Sequence, residues 1–133
     1  GFVSRGLGDV YKRQISNSSK FGIFDLSNSF LEGNRKRTVR IIETLRAEGT
    51  QPPLVLWALS KEINNLYKVL EQGTTKNIWG PRYYLDLLSK RSNSLSYSKI
   101  KNSLKDIAEI DAAIKGLSDK NPWQSIRDLA LNF

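Results

Sequence analysis

The 133-residue sequence contains no cysteine, no histidine and no methionine. Without cysteine and histidine, the chain cannot form a thiol nucleophile, a Ser-His-Asp triad, an imidazole general base or a Cys/His zinc site. We therefore expect no intrinsic catalysis, no cofactor and no metal. Disulfides are impossible too, which agrees with a cytoplasmic location. The absence of methionine leaves the chain without an initiator, and predicts that its reading frame continues upstream.

Long apolar runs are also missing. The longest run, Leu54 to Leu59, has six residues, whereas a helix that spans a membrane needs ~20. Hydrophobic residues nevertheless make up 39% of the chain and charged residues 26%, which is enough apolar surface to build a core. The length suits one domain without a membrane segment.

The first 14 residues, GFVSRGLGDVYKRQ, show neither the period of a helix nor that of a strand. Residues 3–14 resemble a translated sequencing adapter, so we predict a leader that is not native; a disordered native leader is the alternative. The folded domain is expected over residues 15–133. Leaving out the leader removes three basic residues and one acidic residue and lowers the net charge from +8 to +6, so the domain remains basic.

From residue 15 onward, apolar residues recur at helical spacings, and no stretch sustains the alternation that a strand requires. The pattern predicts an all-α fold, a compact bundle of about six helices. The longest apolar stripe runs from Val55 to Leu70, after a proline start and before Gly73. A second regular stripe runs from Ile100 to Leu117, and Asn121-Pro122 is typical of a helix start.

The carboxylates do not form an evident acid–base pair. Most are predicted to lie on solvent faces: Glu43, Glu48, Glu62, Glu71 and Asp106. Asp111 is the exception, because it projects near the apolar stripe of the fifth helix. We expect it to be partly buried and paired with a group from a neighbouring helix. An enzyme that uses carboxylates is therefore the least favoured interpretation.

Two further features have both a plain and a functional interpretation. The outer face of the second helix carries Arg35, Lys36, Arg37 and Arg40, which could contact phosphates, although such faces are usually only solvated. The three tryptophans, at positions 57, 79 and 123, are typical core or interface anchors, and we expect two of them in the core.

Lys115-Gly116 lacks the glycine-rich turn of a phosphate loop, which argues against ATP binding.

Four segments in order resemble one family. They are FDLSNSFLEGN at 24–34, VRIIETLRAEGTQPPLVLWAL at 39–59, IWGPR at 78–82, and IDAAIKGLSDKNPWQSIRDLAL at 110–131. Their combination is similar to the C-terminal domain of bacterial DNA polymerase III clamp-loader delta subunits. The positions that we expect to carry the structural motif are Trp79, Gly80, Arg82, Asp111, Lys115, Gly116, Pro122 and Trp123.

This resemblance implies a helical collar domain, which packs against equivalent domains in a five-membered ring. The ring opens the sliding clamp and loads it on primed DNA during replication. The domain would then belong to a DNA-directed DNA polymerase, a nucleotidyltransferase holoenzyme, without catalysing a reaction itself. Its partners would be the other clamp-loader subunits, with DNA contacted indirectly or weakly, and the clamp would be gripped by a region N-terminal to this one.

The third helix carries apolar residues outside its main stripe, namely Leu54, Trp57 and Ala58. Apolar residues on a second face suit a helix that packs in its own core and also against a neighbour. We expect either this face or the Tyr83-Tyr84 surface to meet another subunit. A basic helical module that binds nucleic acid directly is the alternative function.

Overall fold

The computed structural model describes residues 22–133, so the predicted leader and the predicted capping residues Asn17 to Ser19 lie outside the described part. Within it the chain forms six helices and no strand, which confirms the predicted all-α bundle. None of these helices has the length and apolar character needed to cross a membrane. The helices are α1 (Ile23–Glu32), α2 (Arg35–Ala47), α3 (Pro52–Gln72), α4 (Arg82–Ser92), α5 (Tyr97–Ile114) and α6 (Pro122–Asn132).

The helix ends follow the local chemistry of the sequence. The Asn34 side chain accepts a hydrogen bond from the Arg37 amide at 3.1 Å, and Asn121 caps α6 in the same way. Pro52 opens α3, where an amide hydrogen is not needed, and Gly73 ends it at a φ of 70°, a conformation that favours glycine. The predicted start and end of α3 and the predicted start of α6 are confirmed.

The central element is α3, which packs against α1, α4, α5 and α6. It runs antiparallel to α5, because Tyr67 late in α3 lies against Tyr97 at the start of α5, with ring centroids 5.4 Å apart. The next pair, α5 and α6, is also antiparallel. Lys99 at the start of α5 donates to the backbone carbonyl of Asn132 at the end of α6.

The last turns of α1, α4 and α6 meet at one end of the bundle. The Phe133 ring stacks on Phe30 of α1 with a centroid distance of 4.4 Å. The guanidinium of Arg91 in α4 donates to the Phe133 carbonyl at 2.6 Å and fills the space beside Gly33. This end is therefore closed by the molecule's own side chains.

Two large apolar residues of the chain are exposed, and one of them, Leu117, was predicted to belong to the stripe of the fifth helix. Phe24 is 78% exposed, because it lies two residues before the buried Leu26 and so points to the other side of α1. Leu117 is also 78% exposed. Gly116, at a φ of 77°, has already turned the chain out of the helix, so the stripe of α5 does not continue to that position.

Glu62 was predicted to lie on a solvent face, and this prediction is wrong: the residue is fully buried in the core. It lies at the centre of the α3 stripe, one turn from both Leu59 and Leu66, where the helical period requires an inward side chain. The Tyr84 hydroxyl of α4 donates to Glu62 Oε1. The Asn65 amide in turn donates to the Tyr84 oxygen at 2.8 Å.

This buried polar cluster is incompletely satisfied. Among the described residues, neither the second carboxylate oxygen of Glu62 nor the hydroxyl of Ser27 in α1 has a partner in hydrogen-bond geometry. Burial raises the pKa of the Glu62 carboxyl, and the hydrogen bond from Tyr84, the charge of Lys61 and the nearby Ser27 only partly offset that increase. Loss of hydration of the charged carboxylate is thus the main cause of the raised pKa of Glu62.

Replacing Glu62 by glutamine should change how stability depends on pH. The carboxyl has an ordinary pKa near 4.5, and the folded value is higher. The folded state therefore binds the proton more tightly, and the free energy of unfolding falls as the pH rises from about 4.5 through the folded pKa. Relative to the native chain, Glu62→Gln should therefore become more stable as the pH rises across this range, because it has no carboxyl to ionise. Denaturant unfolding at about pH 5 and about pH 8 measures it.

Tyr84→Phe is the matched variant, because it keeps the titrating carboxyl and removes the hydroxyl that donates to it. We expect its stability to fall more steeply with pH than that of the native chain, since the charged carboxylate loses a donor. Native and Glu62→Gln chains with the same pH dependence would show that Glu62 does not control this slope.

Candidate interaction surface

Large aromatic side chains remain exposed on this domain. Trp79 is 94% exposed, Tyr83 66% and Trp57 55%. The prediction that two of the three tryptophans lie in the core is therefore wrong, because Trp123 alone among them is partly buried. Exposed indoles on a well-packed domain are typical of binding surfaces rather than of folding cores.

The loop that presents Trp79 is held on both sides of that residue. Before it, Ile78 is buried in the core and its amide donates to the Thr75 carbonyl at 3.0 Å. After it, Gly80 lies so close to the Tyr84 ring that an added Cβ would sit 2.7 Å from a ring carbon. The indole is thus displayed to solvent from a fixed backbone, and Gly80 is required for the close approach.

Trp57 of α3 lies on the same side of the molecule as this loop. The Lys61 ammonium is 5.1 Å from the centroid of the Trp57 ring and 6.0 Å from that of Tyr84, within the range of cation–π attraction. Tyr84 in turn contacts Gly80. These contacts connect Trp57, Lys61 and Tyr84 with the loop that carries Trp79, and Tyr83 precedes Tyr84 in α4. We call this group the aromatic face: Trp57, Lys61, Trp79, Tyr83 and Tyr84.

Two of the five predicted interface residues do not fit a simple exposed surface. Ala58 is fully buried, because it lies between Val55 and Leu59 on the inward side of α3, so its assignment to a second face is corrected. Tyr84 is partly buried, and its hydroxyl is turned towards Glu62 in the core. The other three predicted interface residues are exposed: Trp57, Tyr83 and Leu54, the last with 41% of its surface accessible.

A groove of about 830 Å³ runs beside Trp57 between α3 and α5. Its floor is mostly apolar and its rims are polar. Because the two helices are antiparallel, the start of α3 faces the end of α5. The lining residues are Pro53, Leu56, Trp57, Ser60, Lys61 and Asn64 from α3, and Leu104, Ile107, Ala108, Asp111, Ile114 and Lys115 from α5.

The charged groups of this groove are few. Asp111 pairs with Lys115, one turn further along the same helix, at 2.7 Å. The prediction of a partner from a neighbouring helix is therefore wrong, although the partial burial of Asp111 is confirmed. Asp111 is the one carboxylate among the lining residues, so the groove does not offer two acids for acid–base chemistry. Lys61 lies within 4.0 Å of no carboxylate in residues 22–133.

The predicted basic cluster lies at the start of α2, where the first turn contains no acidic residue. Positive charges there are repelled by the positive end of the helix dipole. Arg35, Lys36 and Arg40 are exposed and form no ion pair within the described residues. Arg37 is partly buried and makes an interaction of its own. Burial and the charge of Arg35 lower the pKa of Arg91, so the field is locally positive.

The other motif positions lie mainly at helix ends. Pro122 opens α6, and Lys115 and Gly116 end α5. Arg82 is exposed and forms an ion pair with Asp86 at 3.4 Å. Trp123 is partly buried with the Arg46 guanidinium 5.8 Å from its ring centroid, so it connects α6 with α2. These contacts shape the bundle.

Comparison with known proteins gives this surface a family context. Residues 21–123 match the family described as DNA polymerase III delta subunit, C-terminal domain. The chain is also similar to the DNA polymerase III subunit delta of Escherichia coli strain K12, with 20% identity over 129 residues. That alignment covers 90% of this chain and 37% of the relative, so the chain spans little more than a third of that protein. Because the family match extends over more than half of its length, the chain belongs to the family formed by the C-terminal domains of DNA polymerase III delta subunits.

Proposed function

We propose that this domain is an assembly module of a DNA polymerase III clamp loader, and that it docks other loader subunits through the aromatic face. Through that assembly it supports the loading of the sliding clamp on primed DNA in the cytoplasm. It contributes no catalysis to the nucleotidyltransferase holoenzyme. The observation that carries the proposal is the exposure of three large aromatic side chains, Trp57, Trp79 and Tyr83, on a domain with a well-packed core.

The physical basis is the low cost of binding through groups that are already fixed. The Trp79 loop is braced by Ile78 and Gly80, and Trp57 extends from the central helix, so little conformational entropy is lost when a partner covers them. Tryptophan and tyrosine bury large areas and dominate measured binding energies. A contact between unlike surfaces of neighbouring subunits also suits a ring, whose interfaces are heterologous.

Trp57→Asp and Trp79→Asp test this proposal separately. Each removes an exposed indole and places a charge in the contact, so each should weaken association with the purified remaining clamp-loader subunits by about 2 kcal/mol or more, roughly thirtyfold. Size-exclusion chromatography and titration calorimetry on the mixed subunits measure the loss. Circular dichroism and thermal unfolding should stay close to those of the native chain, because both side chains are exposed.

Leu131→Asp is the matched control. Leu131 is 46% exposed near the end of α6, which lies beside the ends of α1 and α4. The aromatic face lies at the start of α4, a helix length away. This variant should assemble normally. Full assembly by both tryptophan variants, each with an intact fold, would contradict the proposed role of the aromatic face.

Direct binding of nucleic acid is the second candidate function. It is favoured by one observation: exposed cations occupy the first turn of α2, where they oppose the helix dipole and so do not serve helix stability. Groups placed at a cost to folding are candidates for binding. Phosphates at this position would meet Arg35 and Lys36 together with Arg40 one turn later.

Salt dependence distinguishes this second candidate from the first. If α2 binds phosphates, duplex or single-stranded DNA should bind the isolated chain, and affinity should fall steeply between ~50 and ~200 mM salt. The triple variant with Arg35, Lys36 and Arg40 changed to glutamine should reduce the slope of log K against log salt by about 3. Fluorescence anisotropy with a labelled oligonucleotide measures both. Weak binding with the same slope in both proteins would remove this candidate.

A further inference from the structure

We infer that the α3/α5 groove binds an amphipathic α-helix of about three turns from another clamp-loader subunit, with an acidic side chain placed against Lys61. This inference rests on the proposed assembly function and names the occupant of the groove beside the aromatic face.

The length of the groove sets the length of the occupant. Its α3 wall extends from Pro53 to Asn64 and its α5 wall from Leu104 to Lys115. At 1.5 Å per residue each wall is about 16 Å long. Lining residues recur on both walls at spacings of three and four, so each wall is one helical face. A third helix of about eleven residues matches this length and packs its ridges between the two walls.

The backbone of the walls selects a helix over an extended segment. Both walls are α-helices, so their amide and carbonyl groups are already bonded within each helix. An extended peptide in the groove would find no sheet edge to pair with, and its own buried backbone groups would remain without partners. A helix satisfies its backbone internally and presents only side chains.

The floor and the rims select the side chains of that helix. The apolar floor is formed by Leu56, which is buried, and by Leu104 and Ile107, which are partly buried. This floor requires an apolar stripe on the occupant. On the rim, Lys115 is already paired with Asp111, whereas Lys61 forms no ion pair within 4.0 Å in residues 22–133, and its charge acts on the buried Glu62 beneath it. An acidic side chain opposite Lys61 complements that charge.

Nucleic acid fits this groove poorly. Phosphates would meet a single unpaired cation, Lys61, and a floor without hydrogen-bond donors. Binding of a nucleic acid strand depends on several cations along the backbone, and Arg35, Lys36 and Arg40 of α2 form such an exposed cluster outside the groove. The groove therefore differs chemically from the basic cluster, and the two surfaces can be tested independently.

The absence of cysteine allows a direct test, because each introduced thiol is unique in the chain. Ala108→Cys places a thiol in the groove, and Asn102→Cys places one on the side of α5 that faces away from it. Each variant is labelled with a benzophenone maleimide, mixed with the remaining clamp-loader subunits and irradiated. Mass spectrometry of the cross-linked peptides then identifies the segment that contacts each position.

We expect the label at position 108 to cross-link to one segment of a partner subunit, which is helical, apolar on one face and contains an aspartate or glutamate. The label at 102 should not reach that segment. Cross-linking from 108 to an extended or uncharged segment, to DNA or to a second copy of this chain overturns the inference while the proposed function stands. If the unlabelled native chain forms no complex at all, the proposed function fails as well.

A charge exchange tests the role of Lys61. Lys61→Glu should weaken association about fivefold or more, because an opposite-charge contact becomes a like-charge one. Changing the acidic residue of the cross-linked segment to lysine should restore affinity with Lys61→Glu and weaken it with the native chain. Lys105→Glu, elsewhere on the exposed surface of α5, is the control for net charge. Equal weakening by both variants, or no recovery in the exchange, overturns the acidic contact.

Discussion

The core, the aromatic face and the groove all depend on α3, which packs against α1, α4, α5 and α6. A helix so enclosed can leave little of itself to solvent, and its exposed strip is where Trp57 lies. The same helix forms one wall of the groove and supplies Glu62 to the core. The core, the aromatic face and the groove therefore all depend on how α3 packs, and none can shift without the others.

The sequence was sufficient to predict the helices but not all of their orientations. Helix ends depend on local chemistry, such as the Asn34 side chain that caps α2 and the glycine conformation at Gly73. Burial depends on neighbours that are distant in sequence. Ala58 was assigned to a second face because one apolar stripe had already been chosen, whereas α3 is covered on several sides. Glu62 was placed outside because of its charge, although its position in the stripe points inward.

The proposed binding surface was predictable only in part, and for the same reason. Leu54 and Trp57 were singled out as apolar residues outside the main stripe of α3, and Tyr83 as part of an alternative tyrosine surface; all three are exposed. Trp79 was recognised as a motif position without a direction, because residues 73–81 lie outside the helical periods that give sequence patterns their meaning. Its exposure follows from the neighbouring contacts of Ile78 and Gly80. The groove could not be predicted, since it requires knowing that α3 and α5 are antiparallel neighbours.

The buried carboxylate connects the core with this surface. An ionisable group in a core generally costs stability, and an apolar residue of similar size is often no worse. Glu62, however, fixes the Tyr84 hydroxyl, and the Tyr84 ring is the surface against which Gly80 packs. Moving that ring would release the loop on one side of Trp79 and alter the cation–π contact with Lys61. The cost of burying Glu62 is thus tied to the geometry of the aromatic face.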